Sequence, residues 1–115
     1  MRHVAQLPIQ PSAISEPVLL ILLSLADQPR HGYAILQDTA KMSDGSVRLS
    51  TGTLYGALRR LLEEGWIERF KDGDNSRGKQ AYRLTSLGQR NLQQVVHRMK
   101  QLTRVASLRV ARKES

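Results

Sequence analysis

Cysteine is absent from the 115 residues. That removes disulfides, thiolate metal ligands and thiol redox sensing, and makes a reducing cytosol the natural setting. Aromatic residues make up only 4% of the chain, which leaves few candidates for an aromatic-lined effector pocket. Long hydrophobic runs are missing as well. The longest, Val18 to Leu25 with Ser24 inside it, is far too short to cross a bilayer, and no cleavable signal pattern precedes it. A cytoplasmic location with no membrane partner is expected. The three histidines, His3, His31 and His97, are scattered, and no carboxylate constellation accompanies them. No metal site, catalytic residue or cofactor follows, and the chain does not read as an enzyme.

Negative charge is the last scarcity, and it is local. Lys and Arg outnumber Asp and Glu by 18 to 10, for a net charge of +8. Residues 1–47 hold three Lys/Arg against four Asp/Glu, residues 48–85 eight against five, and residues 86–115 seven against one. Such an excess favours a polyanionic partner, and it begins after residue 47.

The densest signals lie between Ser50 and Ile67. Ser50 can cap a helix by accepting from the free N–H groups of its first turn, and Thr51 can stand in for it. Leu54, Leu58, Leu61 and Leu62 then put four leucines on one face, and Gly65 supplies a left-handed stop. The other face carries Gly52, Thr53, Gly56, Arg59, Arg60 and Glu63, with Tyr55 at its edge. Small residues at the helix start allow close approach to a major groove, and arginines further along can grip phosphate or a guanine edge. The same pattern also describes an amphipathic helix with a solvated basic face, on which Glu63 and Glu64 partner the arginines.

Around this helix the chain reads as one domain with extensions. Residues 1–13, with Pro8 and Pro11, are expected to form a flexible arm. Ser15 caps a first helix ending near Asp27, with Glu16 and Pro17 in its first turn. That helix is apolar nearly all round, so Leu19 and Leu22 are candidates for contact with another chain. Gln28 to Gly32 reads as a turn, and a second helix runs to about Met42. Ser43 to Leu49 is a polar connection. Trp66–Phe70 and Gln80–Thr85 read as two short strands joined by a Gly-containing tip, on which Arg77 and Lys79 suit phosphate contact. From Ser86 to about Arg109, Leu92, Val95, Val96, Met99, Leu102, Val105 and Ala106 fall close to heptad spacing, a stripe that predicts pairing with the same helix of a second chain.

The expected fold is therefore mainly α with a small β-hairpin. A winged helix-turn-helix domain over 14–85 follows the arm, and precedes a long dimerisation helix over 86–110 and a basic tail over 111–115. Arg98, Lys100, Arg104, Arg109, Arg112 and Lys113 give the last helix and tail a basic outer face, read as solubilising. Tyr55 has two readings: its hydroxyl donates to a phosphate, or its ring fills the core edge. His31 is expected to be structural, and Trp66 to lie in the core beneath the wing.

Several strings, taken in order, resemble the PadR family of winged-helix transcriptional regulators over about residues 15–110. They are Leu25-Ala26, His31-Gly32-Tyr33-Ala34-Ile35, Gly52-Thr53-Leu54-Tyr55, Leu58-Arg59-Arg60-Leu61, Glu64-Gly65-Trp66-Ile67, and Tyr82-Arg83-Leu84-Thr85 with Gly88. Ala81 departs from the pattern, standing where many relatives carry an aromatic. The resemblance implies a homodimeric repressor that binds double-stranded DNA, with C-terminal helices building the dimer and the first helix contributing. It places Thr53 and Tyr55 at the DNA-facing entrance of the recognition helix and carries Lys71 to Lys79 to phosphate or minor groove. A small-molecule effector is known among larger family members, but no residue here supports one. The short length is also similar to that of PadR-like proteins linked to the cyanobacterial clock. A winged-helix module that binds protein instead of DNA is the alternative, and salt dependence separates the two.

Overall fold

The computed structural model describes residues 8–71 and 80–114 of the chain. Its elements are helix α1 (Glu16–Ser24), strand β1 (Arg30–His31), helices α2 (Gly32–Met42) and α3 (Thr51–Glu63), strands β2 (Ile67–Phe70) and β3 (Ala81–Leu84), and helix α4 (Ser86–Glu114). The architecture is mainly helical, with a small antiparallel sheet.

Helix α1 starts as its sequence dictates, with the Ser15 hydroxyl accepting from the Val18 N–H and Pro17 in the first turn. It ends at Ser24, earlier than expected, and Leu25 forms the cap. Arg30 explains the stop, because its Nε donates to the Ser24 carbonyl at 2.6 Å and so takes up a terminal acceptor. Asp27 and Asp38 flank the same guanidinium at 3.5 and 3.7 Å. Apolar residues around α1 are largely used within the chain: Leu20, Ile21, Leu22 and Leu25 are buried, whereas Val18, Leu19 and Leu23 are half-buried.

The segment expected to be only a turn contains a third strand. Arg30 and His31 pair with Tyr82 and Ala81 on β3, giving the sheet order β1-β3-β2. On the other side of β3, Ile67 lies opposite Leu84 and Phe70 opposite Ala81. Ala81 is thus buried between two strands, where its small side chain fits. Residues 72–79, which include the wing positions Arg77 and Lys79, lie outside the described residues.

The described part of the N-terminal segment is docked, not free as the arm reading supposed. The Ile9 N–H donates to Glu64 Oε1 at 2.7 Å, a short 3-10 turn spans Pro11–Ala13, and Ile9 and Ile14 pack against the core. The core itself joins α1 and α2 to the leucines of α3, Trp66, Ile67, Tyr82 and Leu92.

Helix α4 continues to Glu114 and absorbs the basic tail that the sequence reading set apart. Beyond Gly88 in its first turn no Gly or Pro interrupts it, and Arg112 and Lys113 in its last turn suit the negative end of the helix dipole. Its 29 residues reach about 44 Å at 1.5 Å per residue. Only its first third is covered, and every described residue from His97 to Lys113 is exposed. Among the described residues, no helix is long and apolar enough to cross a membrane.

Candidate nucleic-acid interface

Helix α3 is built by local chemistry. The Ser50 hydroxyl oxygen accepts from the Thr53 N–H at 3.0 Å while its proton goes to Thr53 Oγ1 at 2.9 Å, so cap and first turn hold each other. At the far end Gly65 takes φ +78°, and the Trp66 N–H closes onto the Leu61 carbonyl at 3.0 Å. Leu54, Leu58 and Leu61 are buried, which fixes the rotation of the helix about its axis. Leu62 is half-buried beside them.

That rotation presents Thr51, Gly52, Thr53, Tyr55, Gly56 and Arg59 to solvent. A Cβ added at Gly56 would meet nothing within 4 Å, and one at Gly52 would meet only the Ser50 hydroxyl at 3.9 Å. Neither glycine is required by internal packing. Each costs the helix roughly 0.5–1 kcal/mol relative to alanine.

Arg59 and Arg60 separate. Arg59 is exposed, whereas Arg60 Nε lies 3.2 Å from Glu64 Oε2, and the other oxygen of that carboxylate holds the Ile9 N–H. Arg60 therefore braces the carboxylate that holds the N-terminal segment to α3, while its side chain stays part-exposed. Arg48, two residues before the cap and exposed, extends the basic side of the helix entrance. Its sequence signal was a lone cation in the polar connection. Lys71 is exposed at the end of β2, and Arg69 on the same strand faces solvent.

Tyr55 packs at the edge of the domain. It remains 45% exposed, yet its ring and hydroxyl lie over Gly32, where an added Cβ would sit 2.2 Å from the hydroxyl oxygen. Gly32 begins α2, so a Cβ-free residue there lets Tyr55 rest on the first turn of the neighbouring helix. His31 precedes it with Nδ1 buried and without a hydrogen-bond partner among the described residues. The Tyr82 phenol is raised above its ordinary range, chiefly by burial, with Tyr55 adding to the shift and Arg69 opposing it. It stays neutral beside the site. Among the described residues, no group of three His, Asp or Glu side chains is placed to hold a metal ion.

The residues expected to pair two chains fall into two sets. Leu22, Leu92 and Val95 are buried within their own chain, so their side chains are not available to a partner. Leu19 and Val96 are half-buried, and Met99, Leu102 and Ala106 are exposed. Val105 and Val110 extend this exposed apolar surface, whereas Leu108 is exposed on the opposite side of the helix. Leu108 and Val110 were overlooked because they leave the heptad spacing. Between α1 and α4 runs an open groove of about 450 Å³, floored by Leu23, Leu84, Leu92 and Val96 and rimmed by His97 and Lys100.

Comparison with known proteins agrees with this architecture. The sequence profile of the transcriptional regulator PadR-like family matches residues 21–94. An uncharacterized protein from Lysinibacillus sphaericus is 29% identical over 90 residues, which cover 77% of this chain and 83% of that one. A PadR family transcription regulator from Clostridium difficile superposes with a TM-score of 0.69 at 23% identity, over 84% of this chain and 99% of that one. The Bacillus subtilis PadR crystallised with operator DNA superposes with a TM-score of 0.60 at 22% identity, over 69% of this chain and 45% of that one. With the family profile spanning the α1–α4 core, the chain belongs to the PadR-like family of transcriptional regulators, carried on a winged-helix fold with a long C-terminal helix.

Proposed function

We propose that this protein is a homodimeric, sequence-specific DNA-binding repressor that occludes promoters by gripping a roughly palindromic operator. The observation that carries this reading is the outer face of α3, where Gly52 and Gly56 have no internal packing role and Arg59 follows them on the same exposed side. Glycines and threonines at the entrance admit a groove edge, and the cation further along contacts guanine or phosphate. Thr51, Thr53, Tyr55 and Arg59 face the major groove, with Arg48 and Lys71 on flanking phosphates. Arg77 and Lys79 are assigned to phosphate by their sequence alone.

The dimer is supported by the outer part of α4. Helices in proteins draw most of their stability from packing an apolar face, and Met99, Leu102, Val105 and Val110 stay exposed. A second copy covers this stripe, with half-buried Leu19 and Val96 at its edge. Two recognition helices then meet one face of the duplex when half-sites lie about one helical turn, roughly 34–36 Å, apart. The relative from B. subtilis was crystallised with operator DNA, which supports the same role here.

Selection of bound sequences from a random duplex pool, followed by titration of the best site at two salt concentrations, tests the reading. An inverted repeat bound with a steep salt slope is expected. Binding without an enriched sequence leaves only a nonspecific basic protein, and no binding at low salt turns the reading toward a protein-interaction module.

A further inference from the structure

One joint connects the end of the recognition helix to the start of the C-terminal helix. After Gly65 turns the chain out of α3, the Gly65 and Trp66 carbonyls face the first turn of α4. The Thr85 N–H donates to the Trp66 carbonyl at 3.0 Å. Its hydroxyl donates to the Gly65 carbonyl at 2.5 Å, with the Trp66 carbonyl at 3.1 Å, and accepts from the Gly88 N–H at 3.0 Å. Thr85 is thereby both the N-cap of α4 and the clasp on the exit of α3. Gly88 completes the contact, since a Cβ there would sit 2.0 Å from the Trp66 carbonyl oxygen. The obstacle is backbone, which cannot rotate aside as a side chain would.

We propose that Thr85 and Gly88 are positioning residues that set the angle between α3 and α4, and through it the half-site spacing that the dimer accepts. The proposal rests on the dimeric DNA-binding reading above. Packing of apolar side chains tolerates small tilts, whereas three hydrogen bonds and a Cβ-free backbone contact within a few residues do not. Leverage makes the joint matter. A tilt of roughly 10° at the start of α4 moves a point about 30 Å along it by roughly 5 Å, more than the 3.4 Å rise of one base pair. The partner helix seated on that outer part moves with it.

The test uses the full chain and duplexes in which two copies of the selected half-site flank spacers of varied length, alongside a duplex with one half-site. Wild type and Thr85→Ser, which keeps the hydroxyl, are expected to prefer one spacer. Thr85→Val removes the clasp and should reduce that preference, relative to spacers one base pair longer or shorter, by about 3- to 10-fold, the worth of one hydrogen bond. Gly88→Ala should move the preferred spacer, because α4 must shift to admit the Cβ. Affinity for the single half-site should stay within about twofold of wild type in each case, since neither residue touches the groove-facing side of α3. The inference is overturned if Thr85→Val keeps the wild-type spacer preference, or if it loses single-site affinity to the same degree. Thr85→Val decides the matter even if Gly88→Ala does not fold. Wild type with no paired half-site preference removes the dimeric reading together with this one; a defined wild-type spacing with an indifferent Thr85→Val removes this one alone.

Discussion

Helix α3 buries Leu54, Leu58 and Leu61 completely and shows solvent its threonines, glycines and Arg59. In the outer part of α4 every described residue from His97 to Lys113 is exposed, and Met99, Leu102, Val105 and Val110 face solvent. Neither surface has a counterpart among the described residues, but their chemistry differs. The α3 face is small, polar and basic, which suits a solvated polyanion approached closely. The α4 face is a stripe of aliphatic side chains between arginines, and its natural cover is a like stripe. On the proposed reading dimer assembly and DNA contact belong to different helices, so substitutions on α4 should leave the affinity for a single half-site intact.

The largest effect expected from this division is at α4. Met99→Arg with Leu102→Arg places two charges on the exposed stripe without touching the core, so sedimentation should give a folded monomer. Operator affinity should fall by about 100-fold or more once the second half-site no longer binds as part of one assembly. A dimer of normal affinity would show that the outer part of α4 is not the interface. Leu92→Ala probes the inner part of the same helix, where the side chain is buried in its own chain. It should cost about 2–5 kcal/mol of stability in denaturant unfolding. The loss should persist when protein concentration is raised, because a cavity in the monomer core is not refilled by a partner.

That contrast also marks what was legible in the sequence. Heptad spacing showed that Leu92, Val95, Met99 and Leu102 form one apolar stripe, but spacing carries no sign of which chain covers each turn. Coverage depends on how far the small domain reaches along α4. Helix α3 was readable nearly to the residue because its cap, its leucine repeat and its Gly65 stop are all local. Strand β1 was not. Two residues make no periodicity, and their pairing comes from Tyr82 and Ala81, about fifty residues away. Arg60 lay between these cases. Its i+4 relation to Glu64 was visible, but only docking of Ile9 onto the same carboxylate makes that pair a clamp.

Arg59→Ala and Arg60→Ala sharpen the comparison within α3 itself. Loss of Arg59 should cost about 1–3 kcal/mol of operator binding if it reads a guanine, with relaxed preference at one base pair. Loss of Arg60 should leave base preference intact and lower stability by about 0.5 kcal/mol, the scale of an i,i+4 ion pair on a helix. Half-site selection with each variant, beside urea unfolding, reads both. The assignment fails if Arg60→Ala changes base preference and Arg59→Ala does not.

Gly56→Ala is the smallest perturbation and sets stability against binding. The added Cβ has nothing within 4 Å of it among the described residues beyond its own helix backbone, and alanine restricts the unfolded chain while favouring helix. The unfolding free energy should therefore rise by about 0.5–1 kcal/mol. If Gly56 is empty because a groove edge must come close, the same methyl should weaken operator binding although the protein has become more stable. A stabilised variant that binds as tightly as wild type would mean that the glycine leaves room for nothing. The DNA-facing side of α3 would then begin at the threonines of its first turn and pass beside Gly56 on the way to Arg59.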